Sequence, residues 1–186
     1  GNAIARLLTL NGASNIIGFN HHGVIHNDMK SEDSMQQWFI NNSNPKNFKG
    51  NISEAMVDAD VFIGVSAPNV LTESDVASMA KGSIVFALAN PDPEIDPAIA
   101  RKYAAVVATG RSDQPNQINN VLAFPGIFRG LLDANAHKIS DEMLVAAAEA
   151  IADCVSPEQL NASFIVPSVF DANVVKAVAA AVKKSV

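Results

Sequence analysis

Three short runs of the sequence are apolar almost throughout, and they limit the possible folds more than any other feature. The runs are DVFIGVS at 60–66, GSIVFALAN at 82–90 and YAAVVATG at 103–110. A strand with one face in water alternates apolar and polar residues, whereas a parallel strand covered on both faces does not. Helical patterns separate the runs, at 73–81 and after Pro97. This β-α-β-α-β order predicts an α/β fold with a Rossmann-type, doubly wound and mostly parallel sheet.

Further helices and one more strand are predicted around this sheet. Apolar residues at helical spacing predict a helix in NAIARLLTLNG, ended by Gly12, and SNIIGFN at 14–20 has the pattern of a strand. Capping sequences at Thr72 and at Ser156 predict two helix starts. We expect a single domain over residues 1–186 with a helical C-terminal third. The other predicted helices lie at 31–42, 52–59, 119–134, 140–154 and 171–184, and an extended segment is predicted at 163–168.

Composition excludes several classes of protein. The net charge of −6 and the isoelectric point near 5.1 argue against a nucleic-acid surface. The apolar runs are shorter than a membrane span. A single cysteine, Cys154, excludes an internal disulfide and a cysteine metal cluster. We therefore expect a cytoplasmic protein with no nucleic-acid partner and no membrane partner.

The loops that follow the predicted strands are the first place to look for a site, because ligands of open parallel sheets lie beyond the carboxyl ends of the strands. These loops read NHHG, SAPN, NPDPE and GRSDQPNQINN. A proline extends the residue before it, which leaves Ser66 and Asn90 at the strand ends with free side chains. Each loop taken alone is explained by ordinary turn chemistry. Four such loops on one edge predict a ligand site.

The side chains of these loops suit binding better than proton transfer. Asparagine amides donate and accept hydrogen bonds but are not bases. Asp92 and Asp113 lie in turns, where carboxylates usually bond to the backbone. His21 and His22 are adjacent and have no carboxylate or cysteine spaced to complete a metal site. The sequence therefore predicts a binding edge with no catalytic residue and no metal ligand.

Long stretches of the chain resemble the C-terminal, nicotinamide-binding domain of bacterial malic enzymes. They are ADVFIGVSAPNVLTESDVASMAKGSIVFALANPDPEI, VVATGRSDQPNQINNVLAFPGIFRG and the C-terminal FIVPSVFDANVVKAVAAAVKKSV. The resemblance implies oxidative decarboxylation of malate to pyruvate and carbon dioxide. It also implies NAD or NADP as the cofactor, and Mg²⁺ or Mn²⁺ in the full-length enzyme.

The resemblance implies roles for individual residues. Asn90 and Asn120 would reach the substrate and the nicotinamide end of the cofactor, while Ser66, Ala67 and Gly110 would border the dinucleotide. The remaining implied cofactor contacts are Gly1, Asn20 and Asn119. An acidic residue at the position of Asn20 usually binds the ribose 2′-hydroxyl of NAD, so its absence leaves NAD and NADP both open.

The family has further parts upstream of the residue that matches Gly1. They include a first strand with its glycine-rich turn, a catalytic tyrosine and lysine, and three acidic metal ligands. We therefore expect a sheet without its first strand and a fragment that is inactive alone. An unpaired apolar strand edge favours self-association, so a homo-oligomer is also expected.

Two other functions stay open at this point. The chain could be the second domain of a different two-domain dehydrogenase, such as an amino-acid dehydrogenase, although ALANP and NNVLAFPG disfavour this. It could also be a stand-alone nucleotide-sensing or subunit-interaction module, which the lack of a catalytic base would suit.

Overall fold

The structure is a computed structural model that describes all 186 residues. The chain forms two compact units, Gly1–Val107 and Ala108–Val186. The first unit contains α1 (Asn2–Leu10), β1 (Phe19–Asn20), β2 (Gly23–Val24), α2 (Ser34–Asn42), α3 (Ile52–Met56), β3 (Val61–Gly64), α4 (Glu73–Ala77), β4 (Ile84–Ala87), α5 (Pro97–Ala100) and the start of β5 (Val106–Thr109). The second contains a 3-10 helix (Asn120–Leu122), α6 (Phe124–Asp133), α7 (Asp141–Ala152) and α8 (Ala172–Lys184).

A parallel sheet in the order β3-β4-β5 lies at the centre of the first unit. Val61 pairs with Ile84 and Gly64 with Ala87 in a parallel register. Side chains of β4 are buried together with residues of the flanking helices and loops. This core includes Met56, Leu71, Val76, Met79, Val85, Ala87, Ile95, Ala100, Ala104 and Val107. The predicted α/β, Rossmann-like arrangement is confirmed.

The predicted strand at 14–20 is wrong for most of its length. Only Phe19–Asn20 is a strand, and it pairs antiparallel with Gly23–Val24, apart from the three-stranded sheet. An apolar run becomes a strand only where another strand pairs with its backbone. Here loop residues take that place, since the Ile16 carbonyl accepts from the Asn44 N–H at 2.6 Å.

The predicted helix ends at Gly12 and Thr72 are confirmed. Gly12 has a left-handed φ of +89°, and the N–H of Ala13 donates back to the Leu8 carbonyl at 3.0 Å. This is the usual glycine-terminated helix end. At the start of α4, Thr72 and Asp75 form a reciprocal capping box. The α1 helix and α2 pack around their own buried cluster, which contains Ala5, Ile25, Phe39 and Ile40.

Three helices, α6, α7 and α8, make the second unit. A Cβ atom on Gly130 of α6 would lie 2.7 Å from the Ala179 carbonyl oxygen, so only glycine allows this approach of α8. The helices bury a core that contains Leu122, Ile127, Leu131, Met143, Ala147, Val174, Val178 and Val182. No helix of the structure is both long and apolar enough to cross a membrane.

The helix start predicted at Ser156 is wrong. The capping contact is present, because the Ser156 N–H donates to Oε1 of Gln159 at 3.2 Å, but the chain makes only one turn. Asn161 explains the stop. Its side chain donates to the Gln159 carbonyl at 2.8 Å and accepts from the Ser163 N–H at 2.9 Å, which replaces further helical bonds. Residues 163–168 form no strand, and only an isolated bridge joins Asn161 to Phe164.

Candidate functional site

The loops after β3 and β4 lie at the same edge of the sheet, because the two strands are parallel. The first loop carries Ser66 and Ala67, and the second carries Asn90, all three exposed. The Asn90–Pro91 peptide bond is cis. Asn90 makes no side-chain hydrogen bond within the chain. Two of the four predicted loops are therefore adjacent, and their polar side chains are accessible to a ligand.

A buried carboxylate joins these two loops. Glu94 is 0% exposed. Its Oε1 accepts from the Ser66 N–H at 2.9 Å and from the Ser66 hydroxyl at 3.2 Å, while its Oε2 accepts from the Ala89 N–H at 3.0 Å. Each carboxylate oxygen thus holds a different loop, one after β3 and one after β4.

Backbone hydrogen bonds continue the same connection. The Leu71 N–H donates to the Glu94 carbonyl at 3.0 Å, and the Asn69 N–H donates to the Pro93 carbonyl at 3.2 Å. Asn69 has a left-handed φ of +57° at this point. The loop 65–71 is therefore bonded to the loop 88–94 at several positions.

Gly64 makes room for the Glu94 side chain. A Cβ atom at this position would lie 2.3 Å from Cδ of Glu94 and 2.5 Å from its Oε1. Any other residue at the end of β3 would therefore displace the carboxylate that holds both loops.

Gly1 and Asn20 belong to other elements of the first unit, at the start of α1 and in β1. No side chain caps the N-terminus of α1, and its first turn has no acidic residue. Oδ1 of Asn20 accepts from the His22 N–H at 2.8 Å, and its amide NH₂ makes no hydrogen bond within the chain. The His21 and His22 rings lie 3.7 Å apart between centroids and are tilted by 46° to each other. No hydrogen bond joins Gly1 or Asn20 to Ser66 or Asn90.

The asparagines of the second unit have three different uses. Asn116 is buried, has a left-handed φ of +57°, donates to the Ala162 carbonyl at 2.8 Å and accepts from the Ile165 N–H at 3.0 Å. Asn119 caps the 3-10 helix by accepting from the Val121 N–H at 3.1 Å. Asn120 is exposed and makes no side-chain hydrogen bond within the chain. Of the three, Asn120 has an amide that is fully available to a ligand.

Gly110 and Asp113 lie in the loop before these asparagines. Gly110 is exposed, and no atom lies within 4 Å of a Cβ built on it. Both carboxylate oxygens of Asp113 accept from Arg111, at 2.8 and 2.7 Å. The hydrogen bond from Arg111 lowers the pKa of Asp113 below its ordinary value. An exposed carboxylate with a lowered pKa and a bidentate partner is a poor general base.

The residues present fit a dinucleotide and do not fit a metal. The N–H groups at an uncapped helix start favour phosphate, and the free amides of Asn90 and Asn120 can bond to a carboxamide or a hydroxyl. No group of three histidine, cysteine, aspartate or glutamate residues is placed to hold a metal ion. The Mg²⁺ or Mn²⁺ that the resemblance implies therefore has no ligand set in this chain.

Glu94 is the residue that sequence reasoning missed. It stands in NPDPE as an ordinary turn-following glutamate, and nothing around it in the sequence marks it as buried. The only signal was indirect. A glycine ends the apolar run VFIG, and an interior glycine in a strand often marks a close approach of another group.

Comparisons with known proteins identify the family of this chain. Residues 6–186 match the family model described as malic enzyme, NAD binding domain. An NAD-dependent malic enzyme of Geobacillus stearothermophilus is 53% identical over 182 residues, which are 98% of this chain and 38% of that protein. An NADP-dependent malic enzyme of Halomonas elongata is 42% identical over 155 residues, which are 81% of this chain and 36% of that protein.

A solved structure shares the fold. The crystal structure of an NAD-dependent malic enzyme from Thermotoga maritima superposes with a TM-score of 0.90 at 39% sequence identity. The match covers 98% of this chain and 48% of that chain. This chain thus spans less than half the length of each of these relatives.

Proposed function

Because this chain belongs to the malic enzyme NAD-binding domain family, we propose that it binds NAD or NADP at the carboxyl edge of its sheet. The observation that carries the proposal is the pair of loops joined by Glu94, which leaves Ser66 exposed and the Asn90 amide unbonded. Family membership removes the amino-acid dehydrogenase alternative. The match over 6–186 supports our inference that both units serve one cofactor-binding domain.

Each residue of the proposed site offers the ligand a particular kind of contact. The Ser66 hydroxyl donates a hydrogen bond to Glu94, so it offers its oxygen lone pairs to a ligand donor such as an amide or a hydroxyl. Ala67 provides close backbone approach beside it. The N-terminal N–H groups that follow Gly1 attract phosphate. The bound dinucleotide supplies the hydride acceptor, and these residues orient it and exclude other poses.

The amides of Asn90 and Asn120 are proposed to contact the substrate and the nicotinamide end. In the second unit, Gly110 and Asn119 border the cofactor in the same proposal. Malate is the proposed substrate, and pyruvate and carbon dioxide are the proposed products. Proton transfer and metal binding are assigned to residues that this chain does not carry. The isolated chain with malate, either cofactor and Mg²⁺ or Mn²⁺ should show no turnover above a buffer blank, and clear turnover would contradict that assignment.

Fluorescence titration with NADH tests cofactor binding directly. We expect saturable binding to the chain, and Asn90→Ala should weaken it at least about threefold through the lost amide contacts. Lys183→Ala, an exposed change in the last turn of α8, is the matched control and should bind as the wild type does. No saturable binding at any concentration would remove the cofactor proposal, as well as the nucleotide-sensing alternative.

The choice between NAD and NADP depends on Asn20 in this proposal. Its amide NH₂ donates to either a ribose hydroxyl or a 2′-phosphate, and no carboxylate is present there to repel the phosphate. We expect NADH and NADPH to bind within about tenfold of each other. Asn20→Asp should weaken the binding of NADPH more than the binding of NADH. An equal effect on both affinities would show that Asn20 does not contact the ribose.

Self-association and a cytoplasmic location stay predictions. β3 is an edge strand of the sheet, with Val61 in it and Val65 after it exposed by 47% and 48%. Exposed apolar strand edges favour pairing with another copy of the chain. Light scattering at several concentrations should give a mass above one chain, and a strictly monomeric sample would contradict it. The single free Cys154 agrees with a reducing compartment.

A further inference from the structure

We infer that Glu94 is a positioning residue of the cofactor site, which acts through Ser66 and Asn90 without touching the ligand. The inference rests on the proposed function. Its basis is a buried carboxylate whose two oxygens bind two different ligand loops, 28 residues apart in sequence at the Ser66 contact.

The location of the contacts supports a role in positioning. One oxygen holds the N–H of Ser66, and the other holds the N–H of Ala89, the residue directly before Asn90. A change at Glu94 therefore moves the backbone of both candidate ligand residues together. A ligand that contacts both loops needs them in register, and small displacements of such groups cost binding and rate strongly.

The electrostatics of Glu94 also support a role beyond stability. No arginine, lysine or histidine forms an ion pair with this carboxylate, unlike the carboxylates of Asp28, Glu73, Asp113 and Asp133. Burying a charge without a cation is costly, and an apolar side chain of similar volume often serves stability as well or better. The N–H and O–H donors around Glu94 compensate the charge, and they belong to the loops of the candidate site.

The hydroxyl of Ser66 gives the inference a chemical consequence. Because Oε1 of Glu94 accepts the hydrogen bond from the Ser66 hydroxyl, Ser66 presents the lone pairs of its oxygen to the ligand. Glutamine at position 94 would turn one acceptor oxygen into an NH₂ donor. That donor would face either the Ser66 contacts or the Ala89 N–H, so one of the two loops would lose its partner.

Asp75 provides a matched control. It is also a buried carboxylate of the first unit, 4% exposed, and it accepts from the Thr72 N–H and from the Thr72 hydroxyl, both at 2.7 Å. Its bonds to Thr72 cap α4, and none of its bonds reaches Ser66 or Ala89. Glu94→Gln and Asp75→Asn therefore remove the same charge from similar surroundings, and only the first touches the loop pair.

The experiment is NADH titration of the whole chain and both variants, with thermal unfolding of each. We expect E94Q to bind NADH at least about tenfold more weakly than wild type, which is about 1.4 kcal/mol. D75N should lose thermal stability yet bind within about twofold of wild type. Equal binding by wild type and E94Q would overturn the inference and leave the proposed function standing, whereas no binding by wild type would end both.

Amide NMR gives a second readout on the loops. The Ser66 and Ala89 N–H resonances should shift strongly in E94Q and stay unchanged in D75N. If E94Q does not fold, Glu94→Asp decides the question, because its shorter side chain keeps the charge but cannot reach both loops. Weakened NADH binding by folded E94D supports the inference, and wild-type affinity in E94D overturns it.

Discussion

The loops 65–71 and 88–94 of the first unit and the segment 110–120 of the second unit each present an exposed asparagine. The residues that fix the backbone of these segments differ in chemistry. In each, an exposed asparagine with an unbonded amide lies four positions from a buried polar residue that fixes the backbone. Glu94 holds the loop of Asn90, and Asn116 holds the segment of Asn120. The first holder is charged, and the second is neutral but has a left-handed backbone.

This difference shows that the residue presented to a ligand and the residue that holds its loop are distinct. A charged holder binds several N–H groups strongly, and its removal leaves them unpaired. A neutral amide holder makes weaker bonds, but asparagine adopts a left-handed backbone more readily than most residues. The two holders should therefore respond differently to substitution.

The largest effect is expected from removal of the charged holder. Glu94→Ala leaves the buried Ala89 N–H without a partner and the Ser66 N–H with water at best. An unsatisfied buried donor costs about 1–3 kcal/mol, so we expect a loss of about 2–4 kcal/mol in the free energy of unfolding. Urea denaturation measures it. A loss below about 0.5 kcal/mol would show that the carboxylate does not hold the loops.

Removal of the neutral holder should have the next largest effect. Asn116→Ala loses the bonds to Ala162 and Ile165 and puts alanine at a φ of +57°. We expect a loss of about 2–3 kcal/mol from these two causes.

Asn116→Gly separates the two causes, because glycine loses the same bonds without the backbone cost. It should be about 1 kcal/mol more stable than Asn116→Ala. Equal stability of the two variants would show that the left-handed backbone at position 116 does not contribute to the loss.

The control carboxylate Asp75 should give a smaller effect that depends on pH. Burial raises the pKa of Asp75, but hydrogen bonds from Ser53 and Thr72 outweigh it, so the pKa lies below its ordinary value of 3.8. A lowered folded pKa adds stability that is fully present above the unfolded pKa and is lost as pH falls through the folded pKa. Asp75→Asn should cost about 1 kcal/mol at neutral pH, with a smaller difference below pH 3.8.

Thermal unfolding of both proteins from neutral pH down to pH 3 measures this difference. Thr72→Ser, which keeps the cap hydroxyl, is the control and should retain the pH dependence of wild type. A difference that grows as pH falls would have the wrong sign for a lowered pKa.

The smallest effects on folding are expected at the two presented asparagines. Asn90→Ala and Asn120→Ala remove amides that make no hydrogen bond within the chain, so each should change the unfolding free energy by less than about 0.5 kcal/mol. In an active longer relative, the same changes should lower kcat/KM at least about tenfold, or about 1.4 kcal/mol. A large loss of stability at either position would show that this asparagine also fixes the backbone of its loop.

Much of this fold was predictable from residue pattern. The runs around Ile63, Val85 and Val107 are apolar almost throughout, and that pattern predicts the parallel strands that the structure contains. Helix caps at Thr72 and Gly12 depend on neighbours a few residues away, so they too can be read locally.

The errors and omissions have the opposite cause, since they depend on partners distant in sequence. Ile16 has an apolar strand pattern, but its backbone bonds to Asn44 and not to another strand. Glu94 and Asn116 lie in polar loop sequence, and only the fold brings Ser66 to one and Ile165 to the other. The presented asparagines were therefore predictable as candidates, and the residues that hold them were not.

A titration of ¹⁵N-labelled chain with NADH, followed by NMR, tests the central claim most directly. The account predicts saturable shifts at Ser66, Ala67, Ala89 and Asn120, with the same dissociation constant at each. It predicts no shift in the turn after α7, around Gln159. Shifts confined to residues outside these loops, or no saturable shift at all, would contradict it.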